Sequence, residues 1–144
     1  MPESAIEKLL RSDEVAGRII RDAAMLESFL GTLLEIYFAK KDKSLEFGEL
    51  VMERMSFAER IDILRRLKLK KRYKSLECVK TLDRIRKLRN VVAHTFYVDD
   101  SELERLLIDK EIERLLVDYP AAYRREVGLT KKRIISLAAA KDFS

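Results

Sequence analysis

The sequence is poor in glycine, proline and cysteine, and these shortages exclude several classes of protein. Only four glycines and two prolines occur among 144 residues, too few for a turn-rich all-β fold, a collagen-like chain or a disordered linker. One cysteine cannot form a disulfide within the chain, which excludes a disulfide-stapled secreted scaffold and favours a reducing cytoplasm. No run approaches about 20 uncharged apolar residues, so we expect no membrane span.

Glutamine is absent, and asparagine and histidine occur once each, as Asn90 and His94. Scarce amides with abundant Lys, Arg and Glu are typical of proteins from hot-growing organisms. One His and one Cys cannot build a structural zinc site, and no Gly-rich phosphate loop is present. We therefore expect neither a metal nor a cofactor.

Positive charge is concentrated in the middle of the chain. Residues 60–97 carry 13 basic and 3 acidic side chains, although the whole chain has a net charge of only +5. Such a cluster is typical of proteins that bind phosphate-bearing partners. The alternative is a solvated helix face whose cations pair with acids from the flanking segments, and charge alone leaves both interpretations open.

Apolar residues recur at helical spacing, and no segment shows the two-residue period of a strand. Helices are predicted over about 5–10, 13–41, 47–55, 57–67, 75–93, 101–117 and 130–140, with N-caps at Ser12 and Thr130 and capping boxes at 56–59 and 101–104. We therefore predict one all-α domain over residues 1–144, an up-down bundle of four to six helices. Its core covers about 12–117, and residues 121–144 form a C-terminal helical extension.

Segment 84–94 carries the side chains best suited to phosphate chemistry. On an ideal helix Arg86, Asn90 and His94 lie within about 80° of one another, with Arg89 at the border of the apolar stripe. A histidine can transfer protons near neutral pH, and an arginine fork suits phosphate oxygens. The structural alternative is that His94 caps helix carbonyls and Arg89 pairs with an acid.

Residues 89–94, R-N-V-V-A-H, resemble the R-x4-6-H motif of the HEPN superfamily in its frequent R-N-x-x-x-H form. The order of predicted helices over about 12–117 is similar too, with the motif at the end of the third major helix. The resemblance implies a homodimer formed through the motif helix, with two motifs facing each other across a basic cleft. It also implies a metal-independent ribonuclease, typically a cytoplasmic toxin or defence effector.

The resemblance also assigns roles to residues. His94 would activate the ribose 2′-hydroxyl or protonate the leaving oxygen, Arg89 would bind the scissile phosphate, and Asn90 would orient His94 or contact the substrate. The product would carry a 2′,3′-cyclic phosphate, so RNA and not DNA would be the substrate. Further RNA contacts are expected from the remaining candidates, which are Lys70, Lys71, Arg72, Arg86, Lys87 and, by base stacking, Tyr97.

Two departures from a simple assignment matter. Arg89 and His94 lie about 140° apart around an ideal helix, so an Arg from one subunit with a His from the other, or a loosened helix end, is needed to bring them together. The toxin branch implies an antitoxin partner, and where that partner is a nucleotidyltransferase the motif continues H-x-Y. Phe96 fills the tyrosine position and Tyr97 comes one residue later, which argues against an antitoxin of that type.

An alternative function remains open at this point. Mannitol-repressor-like regulators are also similar to this helical pattern and are not established nucleases. The chain would then be a non-catalytic helical dimer that acts as a regulator, a scaffold or a binding module for nucleic acid or protein.

Overall fold

The computed structural model describes residues 3–39, 41–69, 72–94 and 100–139. Within these ranges the chain is helical almost throughout and contains no strand, which confirms the predicted all-α class. The helices are α1 (Glu3–Arg11), α2 (Asp13–Phe38), α3 (Ser44–Leu50), α4 (Phe57–Arg66), α5 (Arg72–His94), α6 (Asp100–Leu107), α7 (Lys110–Val117) and α8 (Ala121–Ala139). Short 3₁₀ turns at Lys41–Lys43 and Met52–Arg54 flank α3. No helix in the described part of the chain is long and apolar enough to cross a lipid bilayer.

Two helices begin where the sequence predicts. The Ser12 hydroxyl accepts a hydrogen bond from the backbone N–H of Val15 at 3.4 Å, so Ser12 caps α2. The capping box of α4 is complete, because Ser56 Oγ accepts from the N–H of Glu59 at 3.1 Å and Glu59 Oε1 accepts from the N–H of Ser56 at 3.0 Å. These bonds satisfy backbone donors that the first helical turn leaves without intrahelical partners.

The helix predicted over 101–117 is two helices. The chain leaves α6 after Leu107, and Asp109 caps α7 by accepting a hydrogen bond from the N–H of Glu111 at 2.9 Å. Aspartate is among the best N-cap residues, so the break has a local cause. Ser101 lies within α6 and not at its N-cap. The predicted 47–55 helix is α3 followed by a 3₁₀ turn. The described part of the chain contains eight α-helices, more than the four to six predicted.

Helix α8 begins at Ala121, well before the predicted start at Thr130. Residues 121–126 are rich in Ala, Arg and Glu, which have high helix propensity. Tyr123 is fully buried and anchors this first part of α8, and Thr130 is buried inside the helix and not at its cap. The predicted C-terminal helical segment is therefore longer than its periodicity alone indicated.

The described residues of 1–24 and 84–128 form one compact unit. Its core consists of buried side chains from α1, α2, α5, α6, α7 and α8, among them Ile6, Leu10, Ile19, Ala23, Ile85, Leu88, Leu106, Ile112, Leu115, Leu116 and Tyr123. The hydroxyl of Tyr123 donates to Asp22 Oδ2 at 2.9 Å. Burial and the negative charge of Asp22 both raise the pKa of Tyr123, which therefore stays a neutral donor at all physiological pH values.

The described residues of 25–83 and 129–144 form the second unit. Its core includes Leu26, Leu30, Leu33, Leu34, Phe57, Ile61, Leu64, Cys78, Leu82, Ile134 and Leu137. Full burial of a Leu, Ile or Phe side chain is worth roughly 1.5–3 kcal/mol. Arg60 ties three elements of this unit together. Its Nη1 donates to the Glu27 carbonyl at 3.0 Å and its Nη2 to the Met52 carbonyl at 2.6 Å. Gly31 makes room for that guanidinium, since a Cβ there would lie 2.8 Å from Arg60 Nη1.

Helix α3 belongs to the second unit and contributes nothing to its core. None of its residues is buried, and Leu45 and Leu50 are 77% and 61% exposed. Phe47 stacks on Phe38 at the end of α2, with 6.2 Å between ring centroids. The leucines of α3 therefore do not pack into the core, and α3 contacts α2 through the partly exposed rings of Phe47 and Phe38.

Candidate nucleic-acid site

The C-terminal half of α5 concentrates cations on a helix whose apolar face is anchored. Segment 84–94 contains four Lys or Arg residues and no acid. Ile85 and Leu88 are fully buried in the first unit, so the helix is held by its apolar stripe. Arg86 and Arg89 are half-buried and Lys87 is exposed. The segment itself therefore carries four positive charges, and partial shielding from water strengthens the attraction of such charges for anions.

Arg89 and Asn90 contact each other directly. Arg89 Nη2 donates to Asn90 Oδ1, with 3.4 Å between the two atoms. Because the amide oxygen accepts from the guanidinium, the amide nitrogen carries the remaining donors of Asn90. The two residues therefore present a combined set of N–H donors at this end of α5.

Asp109 joins the same helix to α7. Arg84 Nε donates to Asp109 Oδ2 at 3.2 Å, and the other carboxylate oxygen caps α7. Burial raises the pKa of Asp109, but hydrogen bonds from the Glu111 backbone and from Arg84 outweigh it, so the pKa of this carboxyl lies below its usual value. Asp109 is therefore ionised at neutral pH and compensates the charge of Arg84.

A cavity of about 440 Å³ opens beside Asn90. This volume lies in the range of small-molecule binding sites. Residues of α5, α6, α7 and the link between α6 and α7 form its walls, all within the first unit: Lys87, Asn90, Val91, Glu102, Arg105, Leu106, Ile108, Asp109 and Ile112. We call this space the Asn90 cavity. It combines apolar walls with a few polar side chains of both charges, which is the usual construction of a ligand site.

The structure places some of the predicted site residues and not others. Arg86, Lys87, Arg89 and Asn90 lie along the C-terminal half of α5, and Lys87 and Asn90 also line the Asn90 cavity. His94 is the last residue of α5, and Arg72 is the first. The side chains of His94 and Arg72 lie outside the described part of the structure, as do Lys70, Lys71, Phe96 and Tyr97 entirely.

Several residues of the Asn90 cavity were not predicted from the sequence. Glu102, Arg105 and Asp109 lie 12 to 19 positions after Asn90 in the chain, and only folding brings them beside it. Of these three, only Asp109 could have been singled out from the sequence. An Asp followed by acids such as Glu111 and Glu113 is typical of the start of a helix. Within the described residues no group of three or more His, Cys, Asp or Glu side chains is arranged to hold a metal ion.

Comparison with known proteins gives no match for this chain, whether with protein-family models, with curated proteins or with solved structures.

Proposed function

We propose that the chain is a HEPN-type endoribonuclease that cuts RNA without a metal ion and acts in the cytoplasm as a toxin or defence effector. The observation that carries the proposal is the Arg89–Asn90 contact at the end of a helix segment that holds four cations and no acid. These residues begin the R-N-x-x-x-H sequence that resembles the HEPN motif and that ends at His94.

The reaction assigned to these residues is an internal transesterification. The ribose 2′-oxygen attacks the neighbouring phosphorus, the bond from phosphorus to the 5′-oxygen breaks, and a 2′,3′-cyclic phosphate results. His94 takes the proton of the 2′-hydroxyl or gives one to the leaving 5′-oxygen. Arg89 neutralises the charge that develops on the phosphate oxygens, and its contact with Asn90 restricts the directions in which its guanidinium points.

The site requires two copies of the chain in this proposal. Arg89 and His94 lie five residues apart and so point about 140° away from each other on a regular helix. A two-fold dimer brings the Arg89 of one protomer near the His94 of its partner and creates two equivalent sites.

Cleavage of a mixed RNA pool in EDTA tests the proposal. The wild type is expected to cut RNA and leave 2′,3′-cyclic phosphate ends, while 2′-deoxy substrates stay intact. His94→Ala and Arg89→Ala are each expected to lower the rate by a factor of about 100 or more. Arg66→Ala is the matched control, because Arg66 is an exposed arginine of α4 that pairs with Asp62 of the same helix. Absence of cleavage by the wild type, or equal residual cleavage by wild type and His94→Ala, would overturn the proposal.

Mixing the two inactive variants tests the shared site. If each site takes Arg89 and His94 from different protomers, a heterodimer of Arg89→Ala with His94→Ala contains one intact site. Random exchange of subunits would then restore up to about a quarter of the wild-type activity. No recovery after confirmed exchange would place both residues of a site in one protomer.

A second candidate function is that of a non-catalytic helical dimer that binds a protein partner or nucleic acid and acts as a regulator or scaffold. The observation that favours it is the exposure of Leu45 and Leu50 on α3, since apolar side chains that together form an exposed patch mark protein-binding surfaces. Analytical ultracentrifugation of the wild type and of the Leu45→Ser/Leu50→Ser variant tests this function. If α3 is a protein-binding surface, the variant should lose a protein complex that the wild type forms. The nuclease proposal predicts instead that the variant cuts RNA as the wild type does.

A further inference from the structure

We propose that the Asn90 cavity binds a guanine base of the RNA strand beside the phosphate that is cut. This inference rests on the proposed ribonuclease function and adds a base preference to it. The cavity shares Asn90 with the motif, so a strand whose phosphate lies at Arg89 has a neighbouring base within reach of the cavity.

The walls of the cavity suit a flat aromatic ring. Leu106 and Ile112 are buried and Val91 is half-buried, and together they form an apolar surface. Ile108 at the cavity is 76% exposed, so a ring bound beside it would cover an aliphatic side chain that otherwise faces water. Single-stranded RNA is commonly recognised by unstacked bases that enter such sites.

The polar side chains of the cavity match the pairing edge of guanine. Asn90 offers amide N–H donors, because its oxygen accepts from Arg89, and these suit the guanine O6 acceptor. Glu102 lines the cavity, and a carboxylate is an acceptor only. Guanine is the one standard base that presents two adjacent donors, N1–H and the 2-amino group, to a carboxylate. Adenine, cytosine and uracil each present fewer donors along this edge.

Two cations at the cavity suit the phosphates on either side of the base. Lys87 and Arg105 are exposed and line the cavity, whereas the negative charge of Asp109 is compensated by Arg84 at 3.2 Å. Lys87 and Arg105 are therefore the groups at the cavity that a nucleotide phosphate would contact. This arrangement favours a base with its phosphate over an uncharged aromatic ligand.

Binding of mononucleotides to the full-length chain tests the inference without any cleavage step. Guanosine 5′-monophosphate is expected to bind about tenfold or more tightly than inosine 5′-monophosphate, which lacks only the 2-amino group, because a hydrogen bond to a charged acceptor is lost. Glu102→Gln is expected to abolish this difference. Glu104→Gln is the matched control, since Glu104 is an exposed residue of the same helix, and it should bind both nucleotides as the wild type does. Calorimetry gives the dissociation constants, and circular dichroism verifies that each variant is folded.

The results separate this inference from the proposed function. Equal affinity for the two nucleotides, no binding of either, or an unchanged difference in Glu102→Gln would each overturn the guanine site, even if the chain cuts RNA. Binding with the expected discrimination would support the site even if no RNA is cut, in which case the nuclease proposal fails alone. If both hold, cleavage by the wild type is concentrated next to guanine, and Glu102→Gln cuts with less regard to the neighbouring base.

Discussion

Arg84 and Asp109 form an ion pair that also fixes the start of a helix. One oxygen of the Asp109 carboxylate accepts from Arg84 Nε at 3.2 Å, and the other accepts from the N–H of Glu111 at 2.9 Å. A single side chain therefore caps α7 and holds it against α5. Because Asp109 also lines the Asn90 cavity, this pair keeps one wall of the cavity in place.

Arg84→Met is expected to lower the free energy of unfolding by about 1 kcal/mol, because a partly buried charged hydrogen bond is lost. Asp109→Ala should lower it by about 1–2 kcal/mol, because both the pair and the cap are lost. The double variant should be less destabilised than the sum of the two, and urea denaturation measures the difference. Strict additivity would contradict the pair, and Lys80→Met, at an exposed cation of α5 paired within its own helix, should change little.

The same carboxylate predicts how stability depends on pH. The pKa of Asp109 in the folded chain lies below its usual value, and in the unfolded chain it is about 3.9. Its contribution is therefore fully present above about pH 4 and is lost as the pH falls through the folded-state pKa. Asp109→Asn keeps a good N-cap but has no charge to titrate. Denaturation at pH 6 and pH 2.5 should show a smaller loss of stability in this variant than in the wild type, and equal losses would contradict the assignment.

The close approach of Arg60 to Gly31 predicts that Gly31→Ala destabilises the wild type but stabilises a variant without Arg60. Gly31→Ala adds helix propensity worth about 1 kcal/mol, but its Cβ would lie 2.8 Å from Arg60 Nη1. The guanidinium would have to leave the Glu27 and Met52 carbonyls, so we expect Gly31→Ala to destabilise the wild type. In an Arg60→Ala background the same substitution meets no guanidinium and should stabilise. Thermal or urea unfolding of the four proteins measures the coupling, and a stabilising Gly31→Ala in the wild type would show that Arg60 adapts without loss.

Cys78 is expected to be unreactive in the folded protein. It is buried in the second unit, and burial raises the pKa of its thiol to about 12. The reactive thiolate is therefore almost absent at pH 8. A disulfide reagent such as dithionitrobenzoate should label the native protein only slowly and the denatured protein at once. The chain has one cysteine, so all of the labelling is at Cys78. Rapid labelling of the native protein would contradict the buried position.

The fold could be predicted from the sequence where hydrophobic spacing is dense and continuous. Ile19, Leu26 and Leu30 recur at helical spacing along α2, and all three are fully buried. The division between α6 and α7 was missed because apolar residues continue at helical spacing across Ile108. The break depends on Asp109, and the partner that fixes Asp109 is Arg84, which lies 25 residues earlier in the chain.

Only the site residues that lie on a single helix, α5, could be predicted from the sequence. The positions of Arg86, Arg89 and Asn90 on α5 follow from periodicity, and the partial burial of Arg89 agrees with its predicted place at the border of the apolar stripe. The Asn90 cavity could not be foreseen, because Glu102 and Arg105 come from another helix. Which side chains share a cavity is decided by packing between helices and not by local spacing.

The unburied state of α3 has a consequence for the dynamics of the chain. Opening this helix exposes little additional apolar surface, since none of its residues is buried. Its amide hydrogens should therefore exchange with solvent through local opening, at a free energy well below that of global unfolding, while the amides of α2 around Leu30 exchange last. Such a segment also tolerates insertion and proteolytic nicking. The exposed positions of α3, such as Leu45 and Leu50, can thus change in sequence with little effect on the stability of the core.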